Sequence, residues 1–225
     1  MIVEAKNLQK IYKNNRGIHD ANFTIRKGRI VALAGGNGAG KSTLIRLLTK
    51  QEKPTNGELI WHQDDFVRYM PDDVDFPSTL TAQEVLGLLG SLKKVGKGEQ
   101  DEILKKVGLF EVKKQKVSSF SKGMRQRLNL AQSLIGGDGL IIMDEPTNGL
   151  DPYWIAQLKD MMAQERNRGA TVLFSTHMLA FAEQLADDVI ILHEGRILAA
   201  GEVQQLLRDH HCGHLEELWL QKIDL

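Results

Sequence analysis

Residues 35–43, with the sequence G-G-N-G-A-G-K-S-T, constrain the fold more than any other part of the chain. They fit the phosphate-binding loop pattern G-x-x-x-x-G-K-[ST] at every position. Residues 29–34 before the loop, apolar from Ile30 on, predict a buried strand, and residues 42–48 after it predict a helix with one apolar face. Strand, glycine-rich loop and helix in this order favour a phosphate-binding loop over a glycine turn that merely precedes a helix.

Each residue type in this loop has a role in holding phosphate. Glycines let successive backbone N–H groups curl around a phosphate, because no Cβ atom blocks the approach. The helix that follows adds partial positive charge at its N-terminus. Lys41 supplies a point charge for the β- and γ-phosphates, and the Ser42 hydroxyl can ligate Mg²⁺. The predicted nucleotide-binding residues of the loop are Gly35, Gly36, Asn37, Gly38, Ala39, Gly40, Lys41, Ser42 and Thr43.

The composition argues against several classes of protein. The 225 residues suit one α/β domain with a sizeable core. Lysine plus arginine and aspartate plus glutamate both number 29, and a net charge of zero argues against nucleic acid as the main partner. Cys212 is the single cysteine, so no internal disulfide can form. Because the chain has neither a signal-peptide pattern nor an apolar run near the roughly 18 residues of a membrane span, we expect it to be cytoplasmic, without direct membrane insertion.

Hydrophobic periodicity predicts an α/β fold that is interrupted by helices. Apolar and alternating runs predict further strands over residues 2–8, 21–25, 59–61, 67–70, 140–144, 170–175, 189–192 and 197–200. From the capping box T-A-Q-E at 81–84 to about residue 135, the pattern is helical instead. We therefore predict a core with a small antiparallel β subdomain, formed by residues 1–80 and 136–225. An inserted α-helical subdomain of about residues 81–135 (the helical block) completes the fold.

Two adjacent carboxylates end a predicted strand downstream of the loop. Asp144 and Glu145 follow the apolar run 140–143. Ligands of open α/β sheets bind beyond the carboxyl ends of the strands. There Asp144 can hold Mg²⁺, and Glu145 can take a proton from an attacking water. Carboxylates at a strand end are common on protein surfaces, but the phosphate-binding loop upstream favours the catalytic interpretation.

A second helix start in the sequence is suited to hold an anion. Ser121, Lys122 and Gly123 open a predicted helix, and the free N–H groups of a first helical turn attract negative charge. One nucleotide needs only one phosphate-binding loop, which makes this second start notable. The simpler interpretation, that Ser121 only caps the helix, stays open, because no spacing argument excludes it.

Together these motifs resemble a known family. The phosphate-binding loop, F-S-K-G-M-R-Q-R-L, L-I-I-M-D-E-P-T-N-G-L-D-P and F-S-T-H occur in the order found in ATP-binding-cassette (ABC) transporters. The resemblance extends from Tyr12 to about Gly201 and is specific, because several independent motifs keep their order. The chain looks most like the ATP-binding subunits of bacterial exporters, which pair with a separate membrane permease. The implied fold is a P-loop NTPase (ABC ATPase) with a RecA-like core.

The resemblance implies a role for each motif. Tyr12 matches the aromatic residue that stacks on adenine, although an aromatic residue packed in the sheet is the alternative. Residues 121–123 match the signature segment, which contacts the γ-phosphate of ATP held by a second subunit; Met124 stands where glutamine is usual. Residues 148–151 match the loop that crosses the interface between two such subunits, and His177 matches the histidine that holds the γ-phosphate.

Asp72 departs from the family pattern. In Y-M-P-D the family usually has glutamine at the fourth place, where it contacts Mg²⁺ or the attacking water and links the site to the permease. Aspartate keeps an oxygen but adds a negative charge, which repels the γ-phosphate unless Mg²⁺ or a proton neutralises it. We therefore expect Asp72 to act as a metal ligand that alters metal dependence and coupling without abolishing hydrolysis. The alternative is a tolerated variant on a mobile loop.

The implied function is that of an ATPase subunit that powers transport by a separate membrane permease. It would use ATP and Mg²⁺ and act as a homodimer or with a paired ATPase subunit, peripheral on the inner face of the cell membrane. The predicted catalytic residues are Lys41, Glu145 and His177, and the predicted Mg²⁺ ligands are Ser42, Asp72 and Asp144. One alternative is a soluble ABC-type ATPase that acts on ribosomes or DNA, and another is a nucleotide-binding subunit that hydrolyses poorly. The sequence does not identify the cargo.

Overall fold

The computed structural model of the protein describes residues 1–62 and 67–223; residues 63–66 and 224–225, which the predicted domain ranges include, lie outside it. The strands of the described ranges are β1 (Val3–Ile11), β2 (Gly17–Ile25), β3 (Ile30–Ala34), β4 (Asn56–Trp61), β5 (Val67–Met70), β6 (Leu140–Met143), β7 (Thr171–Thr176), β8 (Asp188–His193) and β9 (Arg196–Glu202). The α-helices are α1 (Lys41–Leu48), α2 (Ala82–Leu92), α3 (Lys97–Lys106), α4 (Lys122–Leu134), α5 (Pro152–Asn167), α6 (Leu179–Leu185), α7 (Val203–Asp209) and α8 (Leu215–Ile223).

A small antiparallel sheet with the strand order β2-β1-β4 forms the N-terminal side. β1 bulges at Asn7, where φ is +46° and the pairing register shifts. Gly57 of β4 lies directly against this bulge, since a Cβ atom there would come within 2.0 Å of the Asn7 carbonyl oxygen. The cluster K-P-T-N-G-E at 53–58 is a turn pattern in the sequence, but the turn it predicts through Asn56 and Gly57 is wrong. Both residues are already in β4, because glycine allows this close approach of two backbones.

The core sheet has six strands in the order β5-β6-β7-β3-β8-β9. Its first five strands are parallel, and β9 adds an antiparallel edge. β3, β6 and β7 are buried on both faces, as expected for the interior of a parallel sheet. Ala34 pairs with Thr176, and Met143 pairs with Phe174. This register brings the carboxyl ends of three central strands to one edge of the sheet.

Three helices are inserted between β5 and β6, as the sequence predicts. The predicted capping box is confirmed: Thr81 Oγ1 accepts from the Glu84 N–H, and the Glu84 carboxylate accepts from the Thr81 N–H. Leu86, Leu104 and Leu128 of these helices are buried and share one apolar cluster with a face of the core sheet. The helical block therefore packs on the sheet rather than around a separate core.

The two faces of the core sheet pack into two apolar clusters. Along β3, Ile30 and Ala32 belong to the cluster that contains the helical block, whereas Val31 and Leu33 belong to the one that contains α1 and the small sheet. This alternation follows from the two-residue period of a strand. The predicted α/β fold class is confirmed, and the exact domain boundaries remain a prediction. Within 1–62 and 67–223, none of the helices has both the length and the apolarity that crossing a bilayer requires.

Candidate functional site

The phosphate-binding loop lies between β3 and α1, at the carboxyl edge of the core sheet. An ideal Cβ atom on Gly35 would come within 2.4 Å of the Leu192 carbonyl oxygen. At Gly40, where φ is +107°, a Cβ atom would lie 2.8 Å from the Ile18 side chain. Glycine is therefore required at both ends of the loop, and the loop backbone is held tightly against β2 and β8.

The first turn of α1 has free N–H groups. Its N-cap residue, Gly40, makes no side-chain hydrogen bond to the helix, and the first N–H groups of a helix have no intrahelical acceptor. Ser42 and Thr43 follow at the start of the helix, and both line the adjoining cavity. This helix end can therefore bind the oxygens of a phosphate.

The Lys41 side chain is buried under the loop. Its Nζ lies 2.7 Å from the Gly35 carbonyl oxygen and 3.2 Å from that of Gly36. A third contact, of 3.2 Å, joins Nζ to Oε1 of Glu145. The predicted phosphate-binding lysine and the predicted base are thus in direct contact.

Glu145 has an unusual backbone conformation for a residue other than glycine. Its φ is +46°, and its N–H donates a 2.8 Å hydrogen bond to the Ser175 hydroxyl. The second carboxylate oxygen, Oε2, lies 3.0 Å from Nδ1 of His177, which donates to it when that nitrogen carries the proton. The carboxylate is therefore placed between Lys41 and His177, and such strained positions are typical of functional sites.

Asp144 accepts a 2.6 Å hydrogen bond from the same Ser175 hydroxyl. Burial raises the pKa of the Asp144 carboxyl above its ordinary value; the hydrogen bond from Ser175 opposes this, and the nearby Asp72 and Glu145 carboxylates raise the pKa further. A divalent cation would relieve this repulsion, so the residues fit Mg²⁺. Among the described residues, no three His, Cys, Asp or Glu side chains form a metal cage. This also agrees with Mg²⁺, which usually takes one or two carboxylates together with phosphate oxygens and waters.

Asp72 lies beside the predicted metal ligands and contacts another motif. Its Oδ1 accepts a 2.7 Å hydrogen bond from the Asn148 side chain. Asp72 also lines two spaces at once: the nucleotide-side cavity with Asp144 and Glu145, and a separate groove of about 760 Å³ that includes Asn148. It therefore forms part of the wall between them.

Tyr12 also lines this cavity, which has a volume of about 1170 Å³. The Tyr12 hydroxyl donates to the Glu52 carboxylate at 2.8 Å and accepts from Arg46 at 3.2 Å. These contacts hold the edge of the phenol ring, while the residue still lines the cavity. Stacking on a base and packing in the sheet both remain compatible with this position.

The structure does not bring the signature segment into this cavity. Ser121 caps α4 by accepting a 3.2 Å hydrogen bond from the Met124 N–H. Gly123 approaches the Gly149 carbonyl closely, since a Cβ atom there would be 3.0 Å from that oxygen. Lys122 lines the separate groove. Ser121 and Lys122 are exposed, and neither lines the cavity beside the phosphate-binding loop of their own chain.

Several residues of the site were not among those predicted. Ser175, which joins Asp144 to Glu145, is signalled only by its place two residues before His177. Asn148 belongs to a recognised motif, but its contact with Asp72 joins positions 76 residues apart. The turn 193–196 and Trp219 also line the cavity, and no local pattern indicates either of them.

Comparison with known proteins agrees with this geometry. A family model described as ABC transporter matches residues 18–148, more than half of the chain. The lantibiotic transport ATP-binding protein SrtF of Streptococcus pyogenes is 35% identical over 209 residues, which cover 89% of this chain and 91% of that protein. The bacitracin transport ATP-binding protein BcrA of Bacillus licheniformis is 38% identical over 213 residues, which cover 88% of this chain and 68% of that protein.

Solved structures give the same assignment. A structure described as the ATP binding subunit of an ABC transporter matches with a TM-score of 0.89 and 30% identity, covering 99% of this chain and all of the other. A putative metal-chelate type ABC transporter in an inward-facing conformation matches with a TM-score of 0.80 and 24% identity, over 92% and 84% of the two chains, and supports the fold alone. This chain belongs to the ABC transporter family, as one of its ATP-binding subunits.

Proposed function

We propose that this subunit hydrolyses ATP as one half of a pair and uses the closure of that pair to drive a separate membrane permease. ATP binding and ATPase activity are general to the family. The observation that carries the proposal for this chain is the position of the Glu145 carboxylate, in contact with both Lys41 and His177 at the phosphate-binding loop.

The residues of the cavity support one orientation of the nucleotide. The adenine would lie on the side of Tyr12, and the phosphates would lie on the loop and the first turn of α1. An anionic phosphate competes with Glu145 for the Lys41 ammonium, so its binding would free the carboxylate oxygen Oε1. Lys41 then stabilises phosphate charge, and Glu145 becomes available to water.

The chemistry follows from this arrangement. Water attacks the γ-phosphorus, the bond from that atom to the bridging oxygen breaks, and ADP leaves with the bonding electrons. Glu145 orients the water and accepts its proton, while His177 holds the γ-phosphate. When bound, Mg²⁺ supplies positive charge that neutralises the β- and γ-phosphate oxygens. Ser42, Asp144 and Asp72 are the residues that would hold it.

The position of the signature segment supports action as a pair. Residues 121–123 open a 13-residue helix but lie outside the cavity of their own chain. In a two-fold pair, the signature segment of one subunit would complete the ATP site of the other, and one kind of interface would form two sites. A homodimer and a pairing with a related ATPase subunit are both compatible with this geometry.

The groove of about 760 Å³ is the proposed contact with the permease. Asp72, Asp73 and Asp75 line it from the loop after β5, and Lys122 and Arg125 line it from the start of α4. A permease segment in this groove would touch both the Asp72 loop and the signature helix. The subunit would then lie on the cytoplasmic face of the membrane, held there by its partner.

The cargo would be chosen by the permease. SrtF and BcrA are named for transport of a lantibiotic and of bacitracin. We extend the proposal to export of a peptide antibiotic or a related compound. Loss of this subunit and its permease should then increase sensitivity to such compounds, and unchanged sensitivity across a peptide-antibiotic panel would contradict this extension.

Replacing Glu145 with glutamine tests the catalytic proposal. The Glu145→Gln subunit should bind ATP but lose about 10²–10⁴-fold in turnover, because glutamine cannot accept the proton of water. With ATP, its mass by light scattering should rise to twice the 25.2 kDa of one chain. Glu58→Gln, at an exposed position on β4, is the matched control and should behave as the unmodified subunit. Near-normal turnover in Glu145→Gln would remove Glu145 from the catalytic role.

A pull-down tests the partner. The tagged chain would be recovered from detergent-solubilised membranes of its own host, with and without ATP. Recovery of one multi-span membrane protein is expected. Recovery of ribosomal or DNA-bound proteins, with no membrane protein, would favour the soluble alternative.

A further inference from the structure

At the junction where the chain passes from α4 of the helical block back to the core sheet, residues 134–136, three successive backbone carbonyl groups accept hydrogen bonds from cationic side chains. Arg68 Nη1 donates to the carbonyl oxygens of Leu134, at 3.3 Å, and Gly136, at 3.2 Å. Lys93 Nζ donates to the carbonyl between them, that of Ile135, at 3.0 Å. The last carbonyls of a helix lack intrahelical donors, and cations are favourable at that end. The exit from α4 is therefore held by two side chains.

These two cations come from opposite sides of the junction. Arg68 belongs to β5 of the core sheet, whereas Lys93 is the C-cap residue of α2 in the helical block. They are close enough that Arg68, after the larger effect of burial, lowers the pKa of the Lys93 ammonium. A change in the angle between block and sheet must therefore break or remake the contacts of Arg68, which run from β5 to the end of α4, whereas the contact of Lys93 with Ile135 joins two helix ends of the block.

Arg68 is an unusual residue for its position. Its side chain is only 1% exposed, and it forms a 3.4 Å ion pair with Glu165 of α5. Burial lowers the pKa of the guanidinium, and its Nε is buried without a partner among the residues that the structure describes. Replacing a buried ion pair by apolar residues is often neutral or stabilising. Packing alone therefore does not explain an arginine here.

The same side chain connects the two crossings between the sheet and the helical block. The chain enters the helical block after β5, and Asp72 follows Arg68 by four residues on that connection. It returns to the core sheet after α4, where the carbonyl groups of residues 134–136 are bound. Gly136, at the exit, has a φ of +102°. Arg68 lines a cavity of about 580 Å³ that is distinct from the nucleotide cavity, so it does not touch the reacting groups.

The helix that starts at the signature segment ends at this junction. α4 has 13 residues, which corresponds to a length of roughly 20 Å at 1.5 Å per residue. A rotation of about 10° at its Leu134 end would move the Ser121 end by roughly 3 Å, about the length of a hydrogen bond. The angle of α4 at the junction therefore determines the position of the signature segment.

We propose that Arg68 is a positioning residue that sets the angle of the helical block, and thereby places the Ser121 helix start against the nucleotide of the paired subunit. This inference rests on the proposed pairing of subunits. Arg68 acts through the carbonyls of residues 134–136 and through Glu165, not on ATP.

The first test measures the angle directly in the isolated subunit. Spin labels at Lys114→Cys in the helical block and Gln204→Cys on α7, in a Cys212→Ser background, report the distance between block and core. Arg68→Met should broaden that distance distribution, and Arg68→Lys should broaden it less, because lysine keeps the charge but not the forked geometry. Lys113→Met is the matched control, since it breaks a 2.6 Å ion pair with Asp101 inside the helical block.

The second test measures the consequence for pairing. In a Glu145→Gln background, Arg68→Met should keep its ATP affinity within about threefold and weaken ATP-dependent dimerisation at least tenfold. In the active subunit, kcat should fall with little change in KM. Lys113→Met should leave all of these values unchanged. If Arg68→Met fails to fold, Glu165→Gln and Arg68→Lys are measured instead, with the same expected directions.

The possible outcomes distinguish failure of the positioning role of Arg68 from failure of the proposed pairing of subunits. An unchanged distance distribution in Arg68→Met, with only a lower melting temperature, would overturn the positioning role. If the Glu145→Gln parent does not dimerise with ATP, the proposed pairing fails, while the spin-label distances still decide whether Arg68 sets the angle.

Discussion

At the scale of single residues, Asp72 is the predicted metal ligand at the place where the resemblance leads us to expect glutamine. It lies near Asp144 and contributes to the raised pKa of that carboxyl. Its own carboxylate is tied to Asn148 by a 2.7 Å hydrogen bond. A negative charge here can strengthen Mg²⁺ binding, and the same residue reaches the groove proposed for the permease.

Asp72→Asn removes the negative charge but keeps the size of the side chain and an oxygen that can accept the hydrogen bond from Asn148. We expect the Mg²⁺ concentration for half-maximal hydrolysis to rise several-fold, since one unit of charge is worth about 1 kcal/mol or more near a partly buried cation. Turnover at saturating Mg²⁺ should fall less than tenfold. The measurement is ATPase activity titrated with Mg²⁺.

The control for this prediction is the neighbouring Asp73→Asn. Asp73 lines the groove but not the nucleotide cavity, so its Mg²⁺ titration should match that of the unmodified subunit. Equal titrations for Asp72→Asn and Asp73→Asn would mean that Asp72 is a tolerated variant without a role in metal binding.

At the scale of secondary-structure elements, two helices of the helical block begin in the same way. Thr81 caps α2 and Ser121 caps α4, each by accepting a 3.2 Å hydrogen bond from a backbone N–H three residues later. Only the second start belongs to the signature segment. Variants at Thr81 and at Ser121 would lose the same kind of cap, so a difference between their ATPase rates would reveal a role of Ser121 at the γ-phosphate, which the sequence left open.

Ser121→Ala and Thr81→Ala should each cost about 1 kcal/mol of stability, because each removes one N-cap. For a chain of this length, that is a fall of about 2–4 °C in melting temperature. Only Ser121→Ala should also lose hydrolysis, by tenfold or more, because only this hydroxyl is proposed to meet a nucleotide. Melting curves and ATPase rates measure the two effects, and equal rates in both variants would reduce Ser121 to a cap.

At the scale of the whole molecule, an ion cluster connects the small sheet to the core sheet. Arg26, just after β2, and Arg29, just before β3, both pair with Asp188 at the start of β8. Arg29 also lies 3.3 Å from Glu202 at the end of β9. Burial alone would raise the pKa of Asp188, but hydrogen bonds from the two arginines outweigh it and lower the pKa below its ordinary value.

A lowered folded-state pKa gives the cluster a defined pH dependence. Its contribution is present above the ordinary aspartate pKa of about 3.9 and is lost as the pH falls through the lower folded-state pKa. Asp188→Asn should therefore cost about 2 kcal/mol at pH 7, or roughly 4–8 °C in melting temperature. This difference should shrink as the pH falls below about 4. Thermal unfolding across this pH range measures it.

The control is Asp209→Asn, at an exposed position at the end of α7. Its melting temperature should follow that of the unmodified subunit at every pH. A constant difference between Asp188→Asn and the unmodified subunit from pH 7 to pH 3 would show that the pairing is not electrostatic.

The features that the sequence predicted residue by residue are local. The phosphate-binding loop, the capping box at Thr81 and the carboxylates after β6 each depend on residues within a few positions of one another. Glycine conformation, helix capping and strand periodicity act over that range. The order of the motifs along the chain was then sufficient to indicate the family.

Tertiary structure alone decided which of these local features meet. Ser175 reaches both Asp144 and Glu145 because β7 lies beside β6. The sequence of a strand does not determine which strands become its neighbours in the sheet. Trp219 lines the cavity because α8 packs through Leu215 and Leu218, far along the chain from the loop. The contacts of Arg68 likewise depend on three separate segments. Such contacts form when whole apolar faces are buried, and because this driving force is non-directional, the local sequence does not indicate which faces meet.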